Sequence, residues 1–230
     1  MKYESAVENG ATRTLVAGES EAATYRIELP ASKRVMDLLI AVPVLFFLSP
    51  IMLLIGVLIK IQDGGSMFFV QRRRGHQGKY FLCMKFRTMR PDAEEILRLI
   101  LATDPEMAAE WKENQKFRKD PRITSLGQFL RRTSLDELPQ LMNILRGEMS
   151  IVGPRPIVED EVERYGDQIE AYDSVRPGVT GLWQVSGRSD TSYDERVALD
   201  TTYAKNVSVT GDIGILLRTI PAVLFARGAI

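Results

Sequence analysis

The stretch Leu38–Ile59 limits the possible folds of this chain more than any other feature, because it carries no charged residue. About 20 apolar residues in helical form cross the hydrocarbon core of a bilayer. A helix that is apolar on every side has no stripe to offer to water, so protein or lipid must cover it all round. Ser49-Pro50 sits near its middle, where proline removes a backbone donor and kinks a helix. Each half then holds only about ten residues, roughly 15 Å at helical rise and half the hydrocarbon thickness. Lys33 and Arg34 precede the run, and Lys60 and the Arg72–Arg74 cluster follow it. Positive charge marks the cytoplasmic side of a membrane segment, and here it marks both ends. Together these observations predict a re-entrant helix that enters one leaflet, turns at Ser49-Pro50 and leaves by the same face. The Ser49 hydroxyl is expected to satisfy a backbone group freed by the break. A single-pass span and a buried helix of a soluble core are the alternatives.

The remainder has the composition of a folded domain, with 45% hydrophobic and 26% charged residues in a chain of 230. Three regions are expected: a flexible polar tail over residues 1–31, a membrane helix-break-helix over 32–62, and a cytoplasmic catalytic domain over 63–230 at the membrane interface. The tail lacks the basic-then-apolar order of a signal peptide. Thirty basic and thirty acidic residues cancel, so the net charge points to no partner. Their distribution says more. Between Gly64 and Pro91 there is no acidic residue, while Arg72, Arg73, Arg74, Lys79, Lys85, Arg87 and Arg90 all fall there. Such a block suits anionic lipid heads or a pyrophosphate, and charge alone leaves a solvated basic face equally open. One cysteine, Cys83, excludes an internal disulfide and a cysteine-based zinc site. With His76 the one histidine, a bound metal would have to be a hard cation held by oxygen ligands.

The pattern predicts an α-rich α+β fold. Met67-Phe68-Phe69-Val70 and Lys79–Phe86 read as strands of a short hairpin punctuated by Gly75 and Gly78. Helical periodicity from Ile96 through Trp111 is broken at Asp104-Pro105, and Ser125–Arg132 reads as a further short helix. Leu138, Leu141, Met142 and Leu145 repeat at helical spacing, which marks an amphipathic helix closed by Gly147. Arg176-Pro177-Gly178 and Gly181 introduce an irregular loop. Helices are predicted again near Tyr193–Asn206 and from Asp212 to Phe225, the last apolar enough to lie on a bilayer surface.

Thr133-Ser134-Leu135-Asp136-Glu137-Leu138-Pro139-Gln140 opens the amphipathic helix. Ser134 with Glu137 three residues on is a capping box, and Asp136 in the first turn suits the helix dipole. A cap needs no company, whereas Arg131 lies shortly ahead of Asp136 and Gly153-Pro154-Arg155-Pro156 follows the helix. Phosphoryl chemistry wants an ionised oxygen nucleophile, cations for the phosphate and backbone donors at a helix start. The dipole is expected to lower the Asp136 pKa and keep the carboxylate charged. Both roles fit the same turn.

Several segments resemble the bacterial sugar transferase family, the monotopic polyprenyl-phosphate phosphoglycosyl transferases. They are Gln71-Arg72-Arg73-Arg74-Gly75, Lys85-Phe86-Arg87-Thr88-Met89, Asp120-Pro121-Arg122-Ile123-Thr124 and the Thr133–Gln140 segment. Arg146–Pro156 and Arg176-Pro177-Gly178-Val179-Thr180-Gly181-Leu182-Trp183-Gln184 through Gly187-Arg188 complete the set. The match runs over about residues 32–226, with the motifs in the family's order. The resemblance implies that Asp136 is a nucleophile that attacks the sugar-proximal phosphorus of a UDP-sugar, expels UMP and carries a covalent sugar-phosphate. Polyprenyl phosphate then takes that group. It implies Mg²⁺ anchored by Asp136 and Glu137, with Glu137 also available for positioning. Arg131 and Arg155 match positions that hold phosphate, and Lys85, Arg87, Arg176, Gln184 and Arg188 fall on the nucleotide-sugar side. Ser49 and Pro50 correspond to the family's helix break.

Asp63-Gly64-Gly65-Ser66, Gly75-His76-Gln77-Gly78 and Thr219-Ile220-Pro221-Ala222-Val223 look most like the small enzymes of succinoglycan type that start exopolysaccharide repeat units. Leu182-Trp183 leans toward galactose or glucose. The implied partners are UDP-galactose or UDP-glucose, undecaprenyl phosphate, membrane lipid and a second copy in a homodimer, with no nucleic acid. The implied location is the bacterial inner membrane, with the active site on the cytoplasmic face. Arg74, where the family is often apolar or proline, and Asn206-Val207-Ser208-Val209, which lacks a usual aromatic, depart from the pattern. Two rivals remain: an inverting glycosyltransferase that releases UDP with Asp136 as base, and a membrane adaptor that uses the basic block.

Overall fold

In the computed structural model, which describes residues 7–8, 11–12, 30–114, 117–187 and 191–224, the apolar run belongs to one helix, α1 (Ala31–Asp63). Only 11% of its most apolar 18-residue window is buried, far too little for the core helix of a soluble domain. Pro50 has no N–H for the Phe46 carbonyl one turn earlier, and Ser49 Oγ donates to that same oxygen at 2.8 Å. Proline interrupts one hydrogen bond, the serine takes its place, and the residues stay helical on to Asp63, so Ser49-Pro50 is a point within one helix and not a gap between two.

Both ends of α1 are fastened to the same body. At the start, the buried Lys33 Nζ donates to Val152 O (2.9 Å), Tyr203 OH (2.9 Å) and Asp212 Oδ2 (2.5 Å). Arg34 donates to Ile144 O (2.6 Å) and Leu145 O (3.0 Å), and Asp37 Oδ1 accepts from Ser150 Oγ (2.8 Å) and Ile151 N (2.9 Å). At the far end Asp63 pairs with Arg87, and Gly64 closes the helix at φ 71°. Between them Phe46 and Phe47 stand 72% and 73% exposed, with Leu39, Leu53 and Leu54 also uncovered. The middle of α1 thus projects as an apolar surface while its two ends dock.

Within residues 1–29 the described part is the pairing of β1 (Val7–Glu8) with β2 (Ala11–Thr12), and the rest of the expected tail lies outside the described residues. The predicted hairpin is β3 (Phe68–Arg74) against β4 (Tyr80–Phe86), antiparallel, with Arg74 opposite Tyr80 and Phe68 opposite Phe86. Its turn uses left-handed Gln77 and Gly78. The break at Asp104-Pro105 separates α2 (Ala93–Thr103) from α3 (Pro105–Asn114), and Asp104 Oδ1 accepts from Glu106 N and Met107 N. Next come α4 (Ser125–Thr133), a 3-10 turn at Leu135–Glu137 and α5 (Gln140–Leu145).

The segment read as an irregular loop instead supplies β6 (Gly178–Thr180), parallel to β5 (Ser150–Val152). The 3-10 segment Glu159–Gln168 and the short α6 (Ile169–Asp173) and α7 (Leu182–Val185) surround it. The chain then forms α8 (Tyr193–Lys205) and α9 (Val209–Leu224). One buried cluster joins Ala41 of α1 to Leu141, Ile144, Met149, Val152, Val175 and Tyr203. Another joins Ile55 and Ile59 to Phe86 and Leu130. Leu138 packs against both, directly beside the turn that carries Asp136.

Candidate active site

Asp136 is positioned by the end of α4. Thr124 caps this helix by accepting from Gly127 N at 2.9 Å. Gly127 lies so close to the hairpin exit that a Cβ there would sit 2.0 Å from the Thr88 carbonyl oxygen. α4 stops at Ser134, whose φ of 57° is left-handed and whose N–H returns to Leu130 O and Arg131 O. The expected capping box is thereby corrected. Ser134 ends one helix and makes no side-chain cap to the next turn, and the Glu137 carboxylate is engaged by Lys85 Nζ at 2.6 Å. The amphipathic helix starts only at Gln140, after Pro139.

Asp136 is nearly buried, and its pKa is pushed up to about 6. Burial is the main cause; Lys85 and Arg131 work against it, and the neighbouring Glu137 adds to it. The expectation of a dipole-lowered carboxylate is corrected: a three-residue turn has little dipole, and desolvation outweighs it. Arg131 rises from the last turn of α4 and donates from Nε to Thr88 Oγ1 at 3.0 Å. Its own pKa is lowered, chiefly by burial, with Asp136 opposing.

Beside this turn a small pocket is lined by Arg73, Lys85, Glu137, Gln140, Arg155 and Gln184. Arg155 is carried between two prolines just beyond β5. The close approach of β5 and β6 fixes that turn, because a Cβ on Gly153 would lie 2.3 Å from the Arg176 carbonyl oxygen. The Arg155 guanidinium lies 6.0 Å from the Trp183 ring centre, and Arg196 lies 4.9 Å from the same ring. An acidic turn flanked by Lys85 and Arg131, opening toward Arg155, is a place to receive phosphate.

The model of a family described as "Bacterial sugar transferase" matches residues 29–226. The chain belongs to the bacterial sugar transferase family. This transferase is 52% identical over 198 residues to the exopolysaccharide production protein ExoY of Sinorhizobium fredii, covering 86% of this chain and 88% of that one. It is 48% identical over 197 residues to the undecaprenyl-phosphate galactose phosphotransferase of Salmonella typhimurium, covering 86% of this chain and 41% of the relative. It is also 38% identical over 196 residues to the UDP-glucose:undecaprenyl-phosphate glucose-1-phosphate transferase of Escherichia coli, covering 82% and 39%. The two latter relatives are more than twice as long as the part they share with this chain.

Within this sugar transferase the structure gathers Asp136, Glu137, Lys85 and Arg131, and sets Arg155 and Gln184 in the adjoining pocket. It does not bring Arg87 or Arg176 to the same place. Arg87 forks onto Asp63 and donates to Ser66 O (2.6 Å) and Met89 O (3.2 Å), which anchors the end of α1. Arg176 Nε donates to Gly147 O at 2.8 Å. Arg188 lies outside the described residues. Arg73 and Gln140 also line the pocket; strand alternation separates Arg73 from Arg72 and Arg74 but does not tell which face of the hairpin meets the site. Among the described residues no group of three or more His, Cys, Asp or Glu side chains could cage a metal. Mg²⁺ commonly rests on one or two carboxylates and completes its shell with water and substrate phosphates, which suits the Asp136–Glu137 pair.

Proposed function

We propose that this protein transfers hexose-1-phosphate, from UDP-galactose or UDP-glucose, to undecaprenyl phosphate, with Asp136 as the nucleophile. One observation carries the reading: Asp136 is a nearly buried carboxylate flanked by Lys85 and Arg131, in a family whose relatives are named for this phosphosugar transfer. An Asp136 carboxylate oxygen bonds to the sugar-bearing phosphorus as the bond between that phosphorus and the bridging oxygen breaks. UMP leaves with that electron pair. A phosphate oxygen of undecaprenyl phosphate then attacks the same phosphorus, frees the Asp136 carboxylate and yields undecaprenyl-diphosphate-hexose. Asp136 and Glu137 would hold Mg²⁺, which neutralises diphosphate charge when bound. Lys85 sets the Glu137 carboxylate, and Arg131 and Arg155 hold phosphate oxygens.

The raised Asp136 pKa supports a site that is dry before the donor arrives. The ionised carboxylate is the reactive form, and with its pKa at about 6 it predominates at neutral pH. The two docked ends and projecting middle of α1 support a re-entrant helix, with Phe46 and Phe47 in one leaflet of the inner membrane and the catalytic body on the cytoplasmic face. The test is the nucleotide released from UDP-galactose or UDP-glucose by protein held in nanodiscs with undecaprenyl phosphate. UMP release that needs Mg²⁺ and vanishes in Asp136→Asn is the expected result. UDP release would move the protein to ordinary glycosyl transfer, and no release from a broad donor panel would favour a membrane adaptor.

A further inference from the structure

The three consecutive arginines of the hairpin have separate fates. Arg72 and Arg74 share one face of β3: Arg72 stacks on Tyr80 at 4.1 Å, and Arg74 grips Asp173 through Nε (2.8 Å) and Nη2 (2.6 Å). Arg73 points to the other face. Register places Arg73 opposite Phe81, Gln71 opposite Cys83 and Phe69 opposite Lys85, so Arg73 and Lys85 stand on the same side of the sheet. Both line the small pocket with Arg155.

We propose that Arg73 is a substrate-binding residue that, with Arg155, clamps the nucleotide-side phosphate of the donor, the one that departs in UMP. This rests on the donor assignment made above. The charge balance of the pocket argues for it. Three cations, Arg73, Lys85 and Arg155, line it against one carboxylate, Glu137, and Lys85 already holds that carboxylate at 2.6 Å. An excess of guanidinium in a half-buried pocket is unfavourable until an anion arrives, and planar forks suit phosphate oxygens.

Placement argues for the nucleotide side. Lys85 stands beside Asp136, whereas Arg73 is opposite Phe81, four residues back along β4 or about 13 Å of strand. Arg73 is aimed from behind. Nη1 donates to Pro156 O at 2.9 Å, which ties it to the turn carrying Arg155, and Nη2 donates to Gln71 Oε1 at 2.6 Å. Glu161 sits 3.6 Å away and is itself held by Arg196 at 3.0 Å. Glu161 is thus shared between Arg73 and Arg196, and Arg73 lines the pocket from the position these contacts give it.

The experiment uses the full chain in nanodiscs and compares wild type, Arg73→Gln and Arg73→Lys. Glutamine keeps a donor for Pro156 O without charge, and lysine keeps the charge without the fork. The expected result is a donor KM and an inhibition constant for UMP that both rise about tenfold in Arg73→Gln and less in Arg73→Lys. The KM for undecaprenyl phosphate stays within about twofold. Unchanged donor KM and UMP inhibition in either folded variant would overturn the clamp. So would a loss of kcat with both KM values intact, which is what a purely structural strut would give. If wild type releases UDP or nothing, the donor assignment falls and this role falls with it.

Discussion

Replacing Lys33 by Met tests what holds α1 to the catalytic body. The ammonium is almost wholly buried and serves Val152 O, Tyr203 OH and Asp212 together. Without it, Asp212 stays buried with Tyr203 OH, at 2.8 Å, as its remaining donor in this network. An uncompensated buried charge costs roughly 3–5 kcal/mol. For a domain of this size each kcal/mol moves Tm by roughly 2–4 °C, so Lys33→Met should lower Tm by roughly 6–20 °C. Asp212→Leu should cost a comparable amount, because it strands the ammonium instead. The double variant removes both charges and should recover most of either loss, since an apolar pair can replace a buried ion pair at little cost. Burial already raises the Asp212 pKa, and Lys33 opposes that rise. In Lys33→Met the carboxyl therefore protonates more readily, so the deficit should shrink from pH 8 to pH 5. Thermal unfolding in one detergent, followed by near-UV circular dichroism, measures all four proteins. A double variant whose loss equals the sum of the singles would refute the coupling.

Asp136 offers a stability prediction of the opposite sign. Its pKa of about 6 in the folded protein exceeds the ordinary 3.8, so the native state binds more protons than the unfolded chain between those values. Stability is fully present below pH 4 and is lost as pH rises to about 6. Asp136→Asn should therefore raise the free energy of unfolding at pH 7.5 by about 1–3 kcal/mol, read as a higher Tm, and leave it unchanged near pH 4. An equal gain at both pH values would contradict burial as the cause. In wild type the first-turnover rate of UMP release at low donor concentration should fall as pH drops through about 6, as Asp136 in the free enzyme protonates. Arg87→Ala should lower Tm through the lost Asp63 tie while the donor KM stays within about twofold. A tenfold rise in donor KM would return Arg87 to the substrate side.

The elements legible in the sequence are those with a local cause. The charge-free run made α1, Gly75 and Gly78 made the hairpin turn, and Asp104-Pro105 separated α2 from α3. The Ser49 hydroxyl could be paired with the freed carbonyl because both lie within one turn. The Asp136–Glu137 pair stood out through its basic neighbours and its match to family motifs. What stayed hidden depends on contacts distant in sequence. Ser150-Ile151-Val152 and Gly178-Val179-Thr180 are too short for a periodic signal and become strands only by pairing with each other. Ser134 looks like a cap, yet Lys85, 52 residues from Glu137, takes the carboxylate that a capping box would use. The Asp136 pKa follows burial, which no spacing reveals. The basic block could not disclose that Arg87 binds Asp63 while Arg73 faces the pocket. The Arg73 outcome follows from the register of the hairpin, and the Arg87 outcome from its place just past the end of β4.

The most direct test of the central claim is to give the protein UDP-galactose or UDP-glucose with Mg²⁺ and no lipid acceptor, quench in acid, and map the adduct by mass spectrometry. The expected product is a hexose-phosphate on Asp136, formed with one equivalent of UMP and discharged when undecaprenyl phosphate is added. UMP release that occurs only with acceptor present, with no adduct on Asp136 under any quench, would contradict it.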